Sequence, residues 1–283
     1  MSYPLSFDLS NKVIVITGGA GVLGTAFSKA CAQAGAKVVI LGRSLDKAEK
    51  LASELRSVGL HALAVSADVM SKASLEVAKE LIHQTFGKVD ILINGAGGND
   101  PKATTSDEYF NIAALETEGS KHFFNMDLDG FNYVFGLNFT GSLIPAQVFG
   151  LDMVGREGCS ILNISSMSAF NPLTKIPAYS AAKAAINNFT QWMAVHFAKE
   201  GIRVNALAPG FFVTEQNKNL LIKPDGSFTD RSNKIISSTP MKRFGKPDEL
   251  IGTLLWLVDP KQSAFVTGIV VPVDGGFSAY SGV

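Results

Sequence analysis

The 283-residue chain has a mass of 30.1 kDa, 46% of its residues are hydrophobic, and only 18% are charged, against roughly 25% in an ordinary soluble domain. That apolar content excludes a disordered chain and allows one large α/β domain or two small ones. Lys plus Arg and Asp plus Glu each total 25, so no global field holds a polyanion, and nucleic-acid binding is excluded as the main activity.

Residues 1–12 lack the basic start and apolar run of a signal peptide. Val13–Ile16 is the first of seven short apolar runs of the kind seen in strands buried on both faces. Thr17 to Gly24 follows, then a helix-like stretch from Thr25 to Ala34. Gly19, Gly21 and Gly24 fit G-x-G-x-x-G, a tight turn that brings backbone close to a pyrophosphate at a helix N-terminus. Its place between strand and helix predicts dinucleotide binding. The second run, Val38–Leu41, ends in Gly42-Arg43-Ser44. No carboxylate stands there for the adenosine ribose hydroxyls, and the Arg43 guanidinium suits a 2′-phosphate. NADP(H) is therefore favoured, with NAD(H) possible.

Leu45–Ser57 and Ser74–Phe86 read as helices, flanking the third run, Ala62–Val65; Ile91–Ile93 is the fourth. Gly97 to Gly130 then breaks the rhythm with a long polar segment. Gly130–Leu151 carries no charge, but Asn132, Asn138, Thr140, Ser142 and Gln147 make it too polar for a spanning helix of about 20 residues. It reads as a buried helix, and the protein as cytoplasmic without a membrane partner. Ile161–Ile164 is the fifth run and leads into Ser165 and Ser166. Pro177 opens a helix that puts Tyr179 and Lys183 at i and i+4. Val204–Leu207 is the sixth run, Phe211–Gly245 a second long polar segment, and Ile269–Val271 the seventh. Alternating strands and helices predict a single α/β domain over 1–283. Its core is a Rossmann-type, doubly wound, seven-stranded parallel sheet with helices on both faces. Ligands of such sheets bind outside the carboxyl ends of the strands, where insertions near 98–130 and 211–245 both begin.

A tyrosine hydroxyl, with an ordinary pKa of about 10, becomes a usable acid or base when a neighbouring ammonium favours the phenolate. Tyr179 with Lys183 thus suits carbonyl/alcohol interconversion. A Ser166 hydroxyl at a strand end can hold a substrate oxygen, and a buried Asn138 must find partners. Cys31 and Cys159 read as buried small side chains, and His61, His83, His122 and His196 have no metal-ligand spacing, so no metal site is expected.

Taken in order, these motifs resemble the classical short-chain dehydrogenase/reductase family over nearly the whole chain. They are Thr17–Gly24, Asp68-Val69, Asn94-Gly95-Ala96-Gly97, Asn138, Ser166, Tyr179 with Lys183, Pro209-Gly210 with Thr214, and Asp274-Gly275-Gly276. The resemblance implies that Tyr179 is the general acid/base and that Lys183 lowers its pKa and binds the nicotinamide ribose. It implies that Ser166 orients the carbonyl and that Asn138 supports a proton relay. Cofactor contacts implied with them are Gly18, Gly21, Leu23, Gly24, Arg43, Asp68, Val69, Asn94, Gly95, Pro209, Gly210 and Thr214, and a homotetramer is implied too. Two departures stand out: Val22 occupies the place of the usual middle glycine, and Gly95 replaces the second asparagine of Asn-Asn-Ala-Gly.

Asn94 and Asn138 lie 44 positions apart, as if about 20 residues were inserted. Gly98-Asn99, Phe211–Asn217 and Asp225–Arg231 resemble the D-mannonate oxidoreductase (fructuronate reductase) subgroup. That resemblance implies a small sugar acid, D-fructuronate or D-mannonate, held by Ser166, Asn99, Asn217 and Arg231. The alternatives are a 3-oxoacyl-carrier-protein or gluconate 5-dehydrogenase type of reductase and, from another class, a dinucleotide sensor without turnover.

Overall fold

The computed structural model describes residues 6–213 and 218–282. Strands β1 (Val13–Thr17), β2 (Lys37–Gly42), β3 (Ala62–Ser66), β4 (Ile91–Asn94), β5 (Cys159–Ile164), β6 (Ile202–Pro209) and β7 (Val270–Val273) form one parallel sheet in the order β3-β2-β1-β4-β5-β6-β7. Side chains alternate across it. Ile14, Ile16, Val38, Ile40 and Leu207 join the core under α1 (Val22–Gln33) and α2 (Leu45–Ser57). Val13, Val15, Val39, Leu41 and Val204 join the core on the opposite face, with α3 (Lys72–Thr85). The chain order reverses between β1 and β4, the switch point at which such sheets take their ligands.

The uncharged segment is not one unbroken helix. Asp127 caps α4 (Leu128–Phe135), its carboxylate accepting from the amides of Asp129 and Gly130. A five-residue π-turn over Gly136–Thr140 follows, and α5 (Gly141–Gly150) continues from it. Among the described residues no helix is long and apolar enough to cross a membrane. The long helix α6 (Pro177–Phe197) opens with Pro177 in its first turn, where a missing N–H costs nothing.

Both long segments stand at the carboxyl side of the sheet. Residues 98–130 contain three short 3-10 turns, Pro101–Ala103, Ile112–Leu115 and Phe123–Asn125. Although polar in overall count, they hold a small aromatic cluster, Phe110 and Phe123 packing edge to face on Phe124 at 5.5 and 5.4 Å. The second segment contains α7 (Lys218–Leu221) and α8 (Asp230–Ser237), and gathers a small core of its own from Leu221, Ile235 and Phe244. Thr214 and Asn217 lie outside the described residues. A last helix, α9 (Ile251–Val258), precedes β7. Its C-terminal carbonyls at Leu257 and Val258 accept from the buried guanidinium of Arg203, 2.8 and 3.3 Å away.

Candidate active site

The glycine loop joins β1 to α1. Gly18 has φ +67, and a Cβ on Gly24 would lie 2.0 Å from the Gly18 carbonyl oxygen, so no side chain fits at Gly24. Gly21 is the N-cap of α1 and offers no side-chain cap, which leaves the first-turn amides to an anion. The helix is pinned to the loop by Ser28 Oγ donating to Gly19 O (3.0 Å) and Thr25 Oγ1 donating to Gly21 O (2.8 Å). Across the switch point, Thr17 Oγ1 accepts from the amides of Gly95 and Ala96, both at 3.1 Å, and draws the β4 loop against the glycines. An amide-lined, side-chain-free turn between two strand ends fits the pyrophosphate of a dinucleotide.

Flanking positions complete the cradle. Leu23 lies in the first turn of α1, and exposed Arg43 follows β2, its guanidinium paired with no described carboxylate. The exposed Asp68 carboxylate accepts from the Met70 amide at 2.9 Å, and Val69 beside it is buried. Asn94 turns inward instead: its amide donates to Asn163 Oδ1 (2.9 Å) and Ser142 O (3.3 Å), so at this position only backbone and Gly95 face the cleft. Pro209 ends β6, and Gly210 packs so closely that a Cβ there would meet Asp274 Cα at 2.6 Å.

The catalytic candidates meet at the ends of β4 and β5. Asn138 is fully buried in the π-turn, a helix irregularity frequent at functional sites. Its amide donates to Val134 O (2.8 Å) and Gly98 O (2.7 Å), while its carbonyl accepts from Gly98 N (3.2 Å). A Cβ on Gly97 would lie 2.6 Å from Asn138 Oδ1 and 3.4 Å from Lys183 Nζ, so these two polar groups flank one glycine. Lys183 Nζ donates to Ile164 O at 2.7 Å and lies 5.6 Å from the centre of the Tyr179 ring. Ser166 is 9% exposed, and its hydroxyl acts on Tyr179, favouring the phenolate. Neighbouring Ser165 is spent on structure, its Oγ donating to Asn187 Oδ1.

Electrostatics here differ from the expectation drawn from spacing. Burial pushes the Tyr179 hydroxyl above its ordinary pKa, and the Ser166 hydrogen bond pulls against that shift. The Lys183 ammonium is itself pushed down to about 8 by burial, so it keeps its charge at neutral pH. The resting hydroxyl is thus a proton donor, poised for an oxygen that gains charge.

Among the predicted substrate contacts, exposed Asn99 directly follows Gly98, whose amide and carbonyl are both bound to Asn138. Arg231 is exposed on α8 and is not brought against Tyr179 by any contact described. The two long segments are tied together, since Lys234 on α8 pairs with Glu108. A cavity of about 300 Å³ lies next to that tie, between residues 105–126 and the Pro172–Pro177 approach to α6. Sequence reasoning did not single out Thr17 as a loop clamp or Ser168, which donates to Ser166. A hydroxyl directly before the first glycine was the available signal for Thr17. Among the described residues no His, Cys, Asp and Glu cluster could hold a metal ion.

A family model for short chain dehydrogenases matches residues 12–224. The chain is 58% identical to UxuB, an uncharacterized oxidoreductase of Bacillus subtilis, over 280 residues and 99% of both proteins. A candidate D-mannonate oxidoreductase from Haemophilus influenzae, solved with bound NAD, is 52% identical with a TM-score of 0.94 over 98% of each chain. A gluconate 5-dehydrogenase from Burkholderia cenocepacia, in complex with NADP and tartrate, is 30% identical with a TM-score of 0.81 over 96% of this chain and 97% of that one.

Proposed function

The chain belongs to the short-chain dehydrogenase/reductase family and is an oxidoreductase of alcohol and ketone groups, and from that premise we propose that it interconverts D-fructuronate and D-mannonate. The observation that carries the chemistry is the meeting of Ser166, Tyr179, Lys183 and Asn138 beside the glycine loop. Bound nicotinamide supplies or accepts a hydride at the carbon. Ser166 and Tyr179 hold the oxygen, and Tyr179 gives it a proton in reduction or removes one in oxidation. Lys183, on α6 with its Nζ on the Ile164 carbonyl, binds the nicotinamide ribose, and Asn138, held by the Gly98 backbone, supports a proton relay. The adenosine end lies along Gly18, Gly21, Leu23, Gly24, Asp68, Val69 and Asn94-Gly95, with the nicotinamide toward Pro209, Gly210 and Thr214.

Arg43 makes NADP(H) the preferred cofactor, because its free guanidinium takes a 2′-phosphate that a carboxylate would repel. NAD(H) remains a usable partner, in keeping with the NAD held by the Haemophilus relative. Asn99 beside Asn138 contacts sugar hydroxyls, and Asn217 and Arg231 bind the carboxylate when the two long segments close. A pocket that bonds many hydroxyls rejects analogues lacking them, because its polar groups would be left unpaired. The likeness to a gluconate 5-dehydrogenase favours 5-keto-D-gluconate as the second reading. Partly buried Phe131, Phe135, Phe139 and Phe189 and exposed Trp192 form a run of neighbouring rings across α4 to α6, stacked at its two ends and tilted in the middle. We take the protein to be a cytoplasmic homotetramer, with exposed Trp192 at the end of that run available to a partner copy. The test compares D-fructuronate, 5-keto-D-gluconate and a short 3-oxoacyl thioester with NADPH and NADH. Highest kcat/KM on D-fructuronate is expected. Preference for the thioester, or no rate on either keto sugar acid, overturns the sugar-acid reading, and cofactor binding without turnover of any ketone would mark a sensor.

A further inference from the structure

Ser168 is 1% exposed and sits in the 3-10 turn Met167–Ala169, for which Ser166 is the N-cap. Its amide donates to Ser166 Oγ at 3.2 Å, and its hydroxyl donates to the same oxygen at 3.0 Å. A serine oxygen has two lone pairs and one proton. Both lone pairs of Ser166 are occupied from the Ser168 side. The remaining direction belongs to its own proton, which is left for an acceptor outside the turn. The amide of Ser168 can only donate, so it fixes one lone pair whatever its side chain is. Only the Ser168 hydroxyl decides whether the second is filled or whether Ser166 turns its proton inward.

We infer that Ser168 is a positioning residue that sets the polarity of the Ser166 hydroxyl, so that Ser166 presents its one proton to the substrate oxygen or, before substrate binds, to Tyr179, rather than accepting from either. The inference rests on the catalytic reading of Ser166 and Tyr179 given above. It places a third hydroxyl behind the pair, out of reach of solvent, in a chain Ser168 to Ser166 to Tyr179. A proton donated to Tyr179 stabilises its phenolate, the same direction in which Ser166 acts on that group. If Ser166 is free to rotate, the phenolate loses that donor and forms only at higher pH.

The test is Ser168→Ala beside Ser168→Thr, with Ser166→Ala and Tyr179→Phe as references. For Ser168→Ala, kcat should fall about five- to tenfold, the scale of one hydrogen bond. KM and cofactor affinity should change less than about twofold. In the direction of alcohol oxidation the midpoint of the pH–rate profile should move to higher pH. Ser168→Thr keeps the hydroxyl and should restore both kcat and the pH midpoint. A Ser168→Ala enzyme with unchanged kcat and pH midpoint, and only a lower unfolding temperature, would show that Ser168 merely packs and would overturn the inference. A Ser168→Thr enzyme that folds but matches Ser168→Ala would also overturn it. Full turnover in Ser166→Ala or Tyr179→Phe is a separate result, which would bring down the catalytic reading and this inference together.

Discussion

Asn138, Ser166 and Lys183 are at most 9% exposed, and each is held by backbone at the end of the sheet or within its own helix. Asn99 and Arg231, the proposed substrate contacts, are exposed and sit in the two long segments, which are joined to each other by a surface ion pair. The difference separates two jobs. Proton and hydride chemistry needs groups fixed to within fractions of an ångström, and a packed sheet edge supplies that. Recognition of one substrate among many needs a surface that can vary without unfolding the core, and loops supply that. Damage on the fixed side should therefore act on kcat, and damage on the variable side on KM.

The strongest test of the fixed side is Tyr179→Phe. It removes the transferable proton and leaves the glycine loop intact, so turnover should fall at least about 10²-fold while cofactor affinity measured by fluorescence titration is retained. Near-normal turnover would end the distinction at once.

Lys183 shows what that fixity costs. Its pKa falls from 10.5 to about 8, so the unfolded chain holds the proton more tightly than the folded one. The charging penalty is complete below about pH 8, shrinks between about 8 and 10.5, and is gone above that. A shift of this size is worth roughly 3 kcal/mol, of which about 1 kcal/mol is returned by the hydrogen bond to Ile164 O. Lys183→Met should therefore abolish turnover yet gain about 2 kcal/mol of stability at pH 7. At pH 10.5 the gain should turn into a small deficit. Urea unfolding at the two pH values checks both signs, and a variant less stable at pH 7 would contradict the burial argument.

The same division governs how much could be read in advance. Strands such as Val13–Thr17 and Cys159–Ile164 were legible to within a residue or two, because a strand buried on both faces must be an apolar run. The helix Leu45–Ser57 was legible in full as the helix-like stretch between two apolar runs. Asn138 was legible as a buried polar residue in need of partners, but the π-turn that aims it was not, since it depends on the Gly98 backbone reaching in from 40 residues away. Ser168 was invisible because its role depends on a 3-10 turn folding it back onto Ser166. Residues 98–130 read as polar because composition averages over Phe110, Phe123 and Phe124, which only the fold gathers. The depth at which Lys183 is buried was not legible, because spacing says nothing about desolvation.

Arg43 lies between the two regimes, exposed but anchored at the end of β2. Arg43→Ala should lower kcat/KM with NADPH about tenfold through the lost charge-assisted bonds, and much less with NADH. Steady-state kinetics with both cofactors decide it. Equal losses would remove Arg43 from the 2′-phosphate site.

The smallest expected effect bears most directly on the variable side. Lys234 on α8 and Glu108 in the other long segment form the one described ion pair between these two segments, and it is solvent-exposed. Each partner strengthens the charged form of the other: Glu108 is held below its ordinary range, and Lys234 above its own. An exposed pair is screened by salt and contributes modestly, so Glu108→Gln should raise the substrate KM by no more than about threefold and leave kcat unchanged. The wild-type KM should rise with added sodium chloride, and that dependence should flatten in Glu108→Gln. Below the ordinary carboxylate range Glu108 takes up a proton, so the wild type should approach the variant's KM only at strongly acidic pH, and the two should differ most near neutrality. A change in kcat instead would mean that the two segments govern the chemistry as well as the recognition, and the two sides of the cleft would no longer be separable.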